Sequence, residues 1–329
     1  MIGLAGIRGQ DRARELLTRA LASGRLPHAY LFDGPAGVGK VTTAIALAAA
    51  LNCELEPGAA QCTCLPCEKI TLGVHPDLLR LAPDGPGGFI KIEQIRELLA
   101  VLAFPPHEGK ARLVIVEDAE KLNPAAANAF LKTLEEPPNR THIVLTTTAP
   151  DRLLVTIRSR CQRVRFAALP AEAVASILRA SGVDAAAAQA AAALGGGSME
   201  RAAGLAEGER LTAQWERARR VVVAARAPSM RQAILAAAGL AEDKEEIVPA
   251  LELLAHFYKD AALAAAGRVG GAWPLPGWAE ELTVEAARAR GPAVLARRAA
   301  AVLDTQEAIL GFASAPLSLE AMILTLREG

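Results

Sequence analysis

The stretch Gly34-Pro35-Ala36-Gly37-Val38-Gly39-Lys40-Val41-Thr42 constrains what this chain can fold into more than any other. It lies between an apolar run, Tyr30-Leu31-Phe32, and an alanine-rich segment over 44–51. Strand, glycine-rich turn and helix in that order make a phosphate loop, in which backbone N–H groups close around phosphate oxygens at a helix N-terminus. Gly34, Gly37 and Gly39 supply the turn, and Lys40 stands where a lysine charge reaches the outer phosphates. The next position ordinarily carries a Ser or Thr hydroxyl that holds magnesium, and here it is Val41. An alkyl side chain cannot ligate magnesium. Thr42 lies one residue further, about 100° around the helix, and does not simply take over. The alternative is a glycine-rich turn that binds nothing.

A chain of 329 residues is long enough for two or three domains. It is 52% apolar but only 4% aromatic, which points to helices packed through small side chains rather than to a β-rich protein. Thirty-six basic and thirty-six acidic residues cancel, so no global field draws nucleic acid or an anionic membrane, and any DNA contact needs a local patch. The apolar run over 1–10 is short and is followed by Asp11, Arg12 and Arg14, and no uncharged apolar run reaches membrane-spanning length. A soluble, cytoplasmic chain with no membrane partner is expected. Four of the five cysteines fall within residues 53–67, which suits metal binding in a reducing compartment better than disulfides.

Apolar spacing predicts a helix over 10–21, and His28 belongs to a turn entering the first strand, as a fastening rather than a catalyst. Cys53, Cys62, Cys64 and Cys67 can supply a closed tetrahedral zinc site, which serves structure because it leaves no open position. Cys64-Leu65-Pro66-Cys67 has the spacing of a zinc half-site, whereas Cys62-Thr63-Cys64 is tighter than the usual knuckle; unmetallated surface thiols are the alternative. His75-Pro76-Asp77 precedes a Pro/Gly-rich loop over 83–88. An amphipathic helix over 90–102 leads to a buried strand over 112–118 that ends in Glu117 and Asp118. In phosphate-loop ATPases an Asp at this strand end organises magnesium and a neighbouring Glu polarises water. Here the order is inverted, so both acids are placed to reach a metal shell but Asp118 is a methylene short; a solvated strand end is the alternative. Asn123 caps a helix over 123–134 with Pro124 in its first turn, and Pro137-Pro138 stop it. A strand over 142–147 puts the Thr147 hydroxyl where it can sense a terminal phosphate. Residues 158–161 form a short helix and 164–166 a last strand. Such αβ units imply a doubly wound parallel sheet with its site at the strands' carboxyl ends.

Beyond Leu169-Pro170 only helical signals remain: short helices over 171–180, 185–194 and 198–206, then long ones over 211–225, 230–241, 247–266, 276–290, 293–312 and 318–327. None carries a phosphate, metal or nucleophile signature, and together they read as a helical bundle.

Taken together, HAYLFDGPAGVGK, the clustered cysteines followed by HPD, NAFLKTLEEPP, LTTTAP and TIRSRCQRVRF resemble a bacterial clamp-loader subunit of DNA polymerase III, of the AAA+ class, over about residues 1–205. The resemblance implies an α/β AAA+ fold: a P-loop doubly wound parallel sheet over 1–168 with a four-cysteine zinc insertion at 53–67, a small helical lid over 169–207, and an all-α C-terminal oligomerisation (collar) bundle over 208–329. Two kinds of member compete, the γ/τ motors that hydrolyse ATP and the δ′ subunit with a degenerate nucleotide site. Val41, the inverted Glu117-Asp118 pair, and Glu200 where motors present a sensor arginine favour δ′, although Arg201 is adjacent to that position. The resemblance implies that Arg160, in Ser159-Arg160-Cys161, is an arginine finger acting in trans on a neighbour's ATP, with a local salt bridge as its plainer role; Cys161 is a packed residue. The nucleotide site of the chain itself comprises Gly34, Gly37, Gly39, Lys40, Thr42, Glu117, Asp118 and Thr147, with little hydrolysis of ATP/Mg2+. Structural Zn2+ is the second cofactor. The implied partners are γ/τ-type and δ-type subunits in a heteropentamer, the sliding clamp, and primed DNA through phosphate contacts by arginines such as Arg158, Arg163 and Arg165. A P-loop kinase or recombination helicase is a third reading; the zinc insertion and the SRC context oppose the kinase, and the lack of a winged-helix pattern toward the C-terminus opposes the helicase.

Overall fold

The computed structural model describes residues 3–84, 88–138, 140–206, 208–242, 244–268, 275 and 277–327. The chain packs as two compact units, Met1–Ala173 with Gly197–Glu200, and Val174–Gly196 with Arg201–Gly329.

The first unit opens with a 3-10 turn at Leu4–Gly6 and helix α1 (Asp11–Ala22). Strand β1 (Ala29–Asp33) runs through the phosphate loop into α2 (Lys40–Asn52), followed by α3 (Leu65–Thr71), β2 (Leu78–Leu81), α4 (Ile92–Leu102), β3 (Arg112–Val116), α5 (Pro124–Glu135), β4 (Thr141–Thr147), α6 (Val155–Arg158) and β5 (Gln162–Arg165). The five strands form one parallel sheet in the order β2-β3-β4-β1-β5. Every residue of β1 and β3 is buried, as the covering of both faces of a parallel sheet requires. Alternate residues face opposite layers. Tyr30, Phe32, Leu113, Ile115, Val144 and Val164 join one core with Leu17 of α1 and Leu47 of α2. Leu31, Val114, Val116, Ile143 and Leu145 join the other with Ile95, Leu98, Phe130 and Ile157 from α4, α5 and α6. The α/β doubly wound sheet anticipated from the sequence is therefore the fold of this unit.

Several boundaries differ from the sequence expectation. The helix expected over 90–102 starts at Ile92, because Ile90 bridges to Leu122 and its carbonyl accepts from the Asn123 N–H at 3.1 Å. The strand expected to reach residue 118 ends at Val116, and Asp118 takes a left-handed backbone (φ 47°) in a turn. Helix α6 ends at Arg158, so Ser159, Arg160 and Cys161 follow it rather than lie on it, and the last strand is β5, ending at Arg165 rather than running over 164–166. Neither β2 nor α3 was expected: both are short, and β2 owes its existence to pairing along the edge of β3. The Asn123 cap is present, its Oδ1 accepting from Ala126 N at 2.8 Å. Within the expected 83–88 loop, residues 85–87 lie outside the described residues, as does Pro276 of the helix expected over 276–290.

Helix α7 (Ala171–Ala180) begins at the end of the first unit and continues in the second, which contains α8 (Ala185–Leu194). Helix α9 (Met199–Leu205) likewise crosses the division, and α10 (Gly208–Arg226), α11 (Met230–Ala238), α12 (Lys244–Ala265), α13 (Trp278–Arg288), α14 (Pro292–Leu310) and α15 (Ala315–Arg327) complete the chain. Trp215, Phe257, Tyr258 and Trp278 are fully buried together, with Trp215 and Trp278 ring centroids 4.4 Å apart. Beside them Glu281 and Glu285 receive Arg219, Arg226 and Arg298, so these buried carboxylates are compensated. No described helix is long and apolar enough to cross a membrane.

Candidate nucleotide site and metal centre

The phosphate loop is shaped by close backbone approaches. A Cβ on Gly34 would lie 2.3 Å from the Phe166 carbonyl oxygen, and one on Gly37 (φ 71°) would lie 2.1 Å from Ser198 Oγ and 2.9 Å from Glu200 Cβ. Only glycine fits at these positions. The Gly34 N–H donates to the Thr147 carbonyl at 3.2 Å and the Met199 N–H to the Gly37 carbonyl at 2.7 Å. Among the described residues, no acceptor is bonded to the N–H groups of Gly37, Val38, Gly39 or Lys40. These donors, at the start of α2, fit an anion.

Lys40 is buried, and its Nζ donates to the Gly34 and Pro35 carbonyls, each at 2.6 Å. Burial lowers its pKa, against the opposing fields of Asp118, Glu120 and Asp33. Val41 is half-buried in the first turn of α2, Thr42 is exposed, and the Thr43 hydroxyl is turned back to the Gly39 carbonyl at 2.8 Å.

The two acids singled out in the sequence part company. Glu117 turns to the β2 edge, where its Oε1 accepts from Arg80 Nε at 2.8 Å and Nη2 at 2.7 Å. Asp118 lies in reach of Lys40's field and 3.6 Å from Lys121 Nζ. An acid the sequence reading passed over, Glu120, occupies the turn after β3. Its Oε1 accepts from the Thr148 N–H at 3.1 Å and hydroxyl at 2.7 Å. Burial alone would raise its pKa, but these hydrogen bonds hold it below the ordinary range, so it is ionised near neutrality. No sequence pattern marks Glu120; only the return of β4 beside β3 brings it to Thr148. Thr147 is fully buried, and its hydroxyl accepts from Ala149 N at 3.1 Å.

Glu200 adjoins the loop, its Cβ 2.9 Å from a Cβ built on Gly37. Arg201 Nη1 stands 4.0 Å from Glu252 of α12. Arg160 donates through Nε to Glu135 Oε1 at 2.6 Å and through Nη1 to the Thr156 carbonyl at 2.9 Å, so the local salt bridge is present in the single chain. Burial pushes the neighbouring Cys161 thiol up to about 12, which fits a packed residue. Of the arginines expected near DNA phosphates, Arg158 pairs with Asp151 at 2.7 Å, Arg163 Nε donates to buried Asp33 Oδ2 at 2.9 Å, and Arg165 is exposed on β5.

The thiols of Cys53, Cys62, Cys64 and Cys67 all lie within 4.8 Å of one another. Cys53 Sγ is 3.5 Å from Cys62 Sγ and 4.0 Å from Cys64 Sγ. A tetrahedron with Zn–S bonds of about 2.3 Å has edges of about 3.8 Å, so the group fits zinc despite the tight Cys62-Thr63-Cys64 spacing. Helix ends position the ligands: Cys53 closes α2, Cys64 caps α3 and Cys67 sits in its first turn. Burial pushes Cys53 and Cys67 up, whereas for Cys64 backbone donors at Glu54 and Cys67 override burial and bring it down to about 7.

The HPD triplet is a structural node. Buried Asp77 accepts from the N–H groups of His107, Glu108 and Gly109 at 2.7–2.9 Å and from Arg112 Nη2 at 3.3 Å. His75 Nδ1 accepts from Asp77 N at 3.1 Å, and burial lowers the His75 pKa. His28 is exposed, and the hydrogen bond at this position, from the Ile143 N–H to the His28 carbonyl at 2.9 Å, is a backbone contact that does not involve the imidazole.

Against known families, residues 9–170 match the family described as DNA polymerase III, delta subunit. That segment, just under half of the chain, is similar to the delta-type domain of DNA polymerase III. The chain is 42% identical over 166 residues to DNA polymerase III subunit delta' of Bacillus subtilis, covering 50% of each protein. It is 37% identical over 171 residues to subunit tau of Escherichia coli, covering 52% of this chain and 26% of that one. The chain thus spans about half the length of the delta' relative and about a quarter of the tau relative. Among solved structures, a gamma-subunit-related protein of Thermotoga maritima covers 97% of this chain and 99% of its own, at 20% identity and a TM-score of 0.45. The matched segment holds the phosphate loop, the four thiols and Arg160.

Proposed function

We propose that the chain is a δ′-like subunit of the DNA polymerase III clamp loader, which helps place a sliding clamp on primed DNA and does little ATP hydrolysis itself. The observation that carries this reading is the pairing of Glu117 with Arg80, beside a phosphate loop that has Val41 where a magnesium hydroxyl belongs. A loop that keeps its anion donors but has lost the metal hydroxyl, and whose acid at the magnesium position is tied elsewhere, suits binding or scaffolding better than phosphoryl transfer. The 42% identity to a delta' subunit supports the same assignment.

In this reading residues 1–168 are the AAA+ domain, 169–207 the lid and 208–329 the collar that joins γ/τ-type and δ-type subunits in a cytoplasmic heteropentamer. Arg160 leaves Glu135 on assembly and reaches the ATP of a neighbouring subunit as an arginine finger. Zinc on Cys53, Cys62, Cys64 and Cys67 is structural and pins the 53–67 insertion to α2. Gly34, Gly37, Gly39, Lys40 and Thr42 form the loop that faces nucleotide, with Asp118 and Thr147 behind it.

The 37% identity to a tau subunit supports a second reading, a γ/τ-like motor that hydrolyses ATP. Phosphate release by the purified chain with magnesium separates the two. Feeble turnover alone, together with a requirement for the chain in a reconstituted loader, supports the δ′-like role; vigorous turnover alone supports the motor.

A further inference from the structure

We propose that the phosphate loop takes a nucleoside diphosphate in preference to a triphosphate, and that Glu120 sets this preference. The inference rests on the reading of the loop as one that binds nucleotide without cutting it. Its inner end, the N–H groups of Gly37 to Lys40 at the start of α2, is built for the first two phosphates. Lys40 marks the outer end, where a terminal phosphate would lie.

That outer end is acidic. The carboxylates whose fields reach Lys40 are Asp118, Glu120 and Asp33. Asp33 is compensated by Arg163, and Asp118 has Lys121 beside it. The hydrogen-bond partners of Glu120 are the neutral hydroxyl and amide of Thr148, both on Oε1, and its Oε2 is buried with no donor among the described residues. A third phosphate would bring more negative charge to this carboxylate. Val41 offers no hydroxyl to seat a cation between them, and the Thr147 hydroxyl oxygen already accepts from the Ala149 N–H. A diphosphate ends before this clash and keeps the backbone donors.

The test is calorimetric titration of the full chain with ADP and with ATP, each with and without magnesium. ADP is expected to bind about tenfold or more tightly than ATP in both conditions, and Glu120→Gln to bring the two within about threefold, by strengthening ATP rather than weakening ADP. Equal or tighter binding of ATP by the native chain overturns the proposal, as does an unchanged ratio in folded Glu120→Gln. The native ratio decides by itself if the variant does not fold. Binding of neither nucleotide overturns the inference and leaves the δ′-like reading standing, whereas ATP hydrolysis by the isolated chain overturns that reading instead.

Discussion

Arg80 and Glu117 meet across the β2–β3 edge, with Nε and Nη2 of the guanidinium 2.8 and 2.7 Å from one carboxylate oxygen. Arg80 pairs in register with Ile115, so the carboxylate just past the end of β3 lies in its reach. The acid that stands at the magnesium-organising position in the sequence is thereby held on the flank of the sheet. On the δ′-like reading, restoring a hydroxyl by Val41→Thr is expected to leave phosphate release within about threefold of the native chain, because Glu117 stays with Arg80. A rise of about a hundredfold or more, measured by phosphate release, would mean that Val41 alone holds turnover down and that the Glu117–Arg80 pair does not matter.

Arg160 and Glu135 are each partly exposed, at 33% and 47%, so their pair contributes little to stability, about 1 kcal/mol or less. Glu135→Ala is expected to leave the thermal midpoint nearly unchanged and to preserve ATPase activity in a reconstituted loader. Arg160→Ala is expected to lower that activity by about 10³-fold, the scale of a lost arginine finger, with assembly intact by gel filtration. Normal loader ATPase in Arg160→Ala would reduce Arg160 to its local salt bridge.

The four-thiol group predicts one equivalent of zinc per chain by elemental analysis. Cys67→Ser, at a buried ligand next to α2, is expected to lose the metal and several degrees of thermal stability, since a structural metal contributes folding energy. Because the site is closed, metal loss should act on stability before it touches nucleotide binding. A chain purified without zinc and equally stable would refute a structural metal.

Asp77 links stability to acid. Burial opposes its ionised form, but the three loop N–H groups and Arg112 win and hold its pKa below the usual carboxylate value. The folded value is therefore lower than the unfolded one, so the stabilisation is complete above the ordinary carboxylate range and is lost as pH falls through the folded value. Asp77→Asn removes the charge opposite buried Arg112 and is expected to cost roughly 3–5 kcal/mol at pH 7. Urea unfolding at pH 7 and near pH 3 should show that deficit shrinking in acid. A pH-independent deficit would mean that the carboxylate's charge is not what stabilises the loop.

What the sequence alone determined about this protein was local: the glycine-lysine spacing of the loop, the continuous apolar runs of β1, β3 and β4, the Asn123 cap and the alanine-rich helices beyond residue 170. These follow from backbone freedom, apolar periodicity and hydrogen-bonding groups within a few residues of one another, so neighbouring letters suffice. The clustering of the four cysteines was equally legible, because they lie close in the sequence, and the fold brings their thiols within 4.8 Å of one another. Only the tertiary structure decided which charges meet. Glu117 finds Arg80 thirty-seven residues away, Arg160 finds Glu135 twenty-five away, and Glu120 finds Thr148 twenty-eight away. Each pairing depends on strand order, register and the turn that follows a strand, and a shift of one residue would send the side chain to the opposite face. The strand, glycine-rich turn and helix of the loop could thus be read from the sequence, while the contacts of the acids beside it emerged only when β3 and β4 were laid side by side.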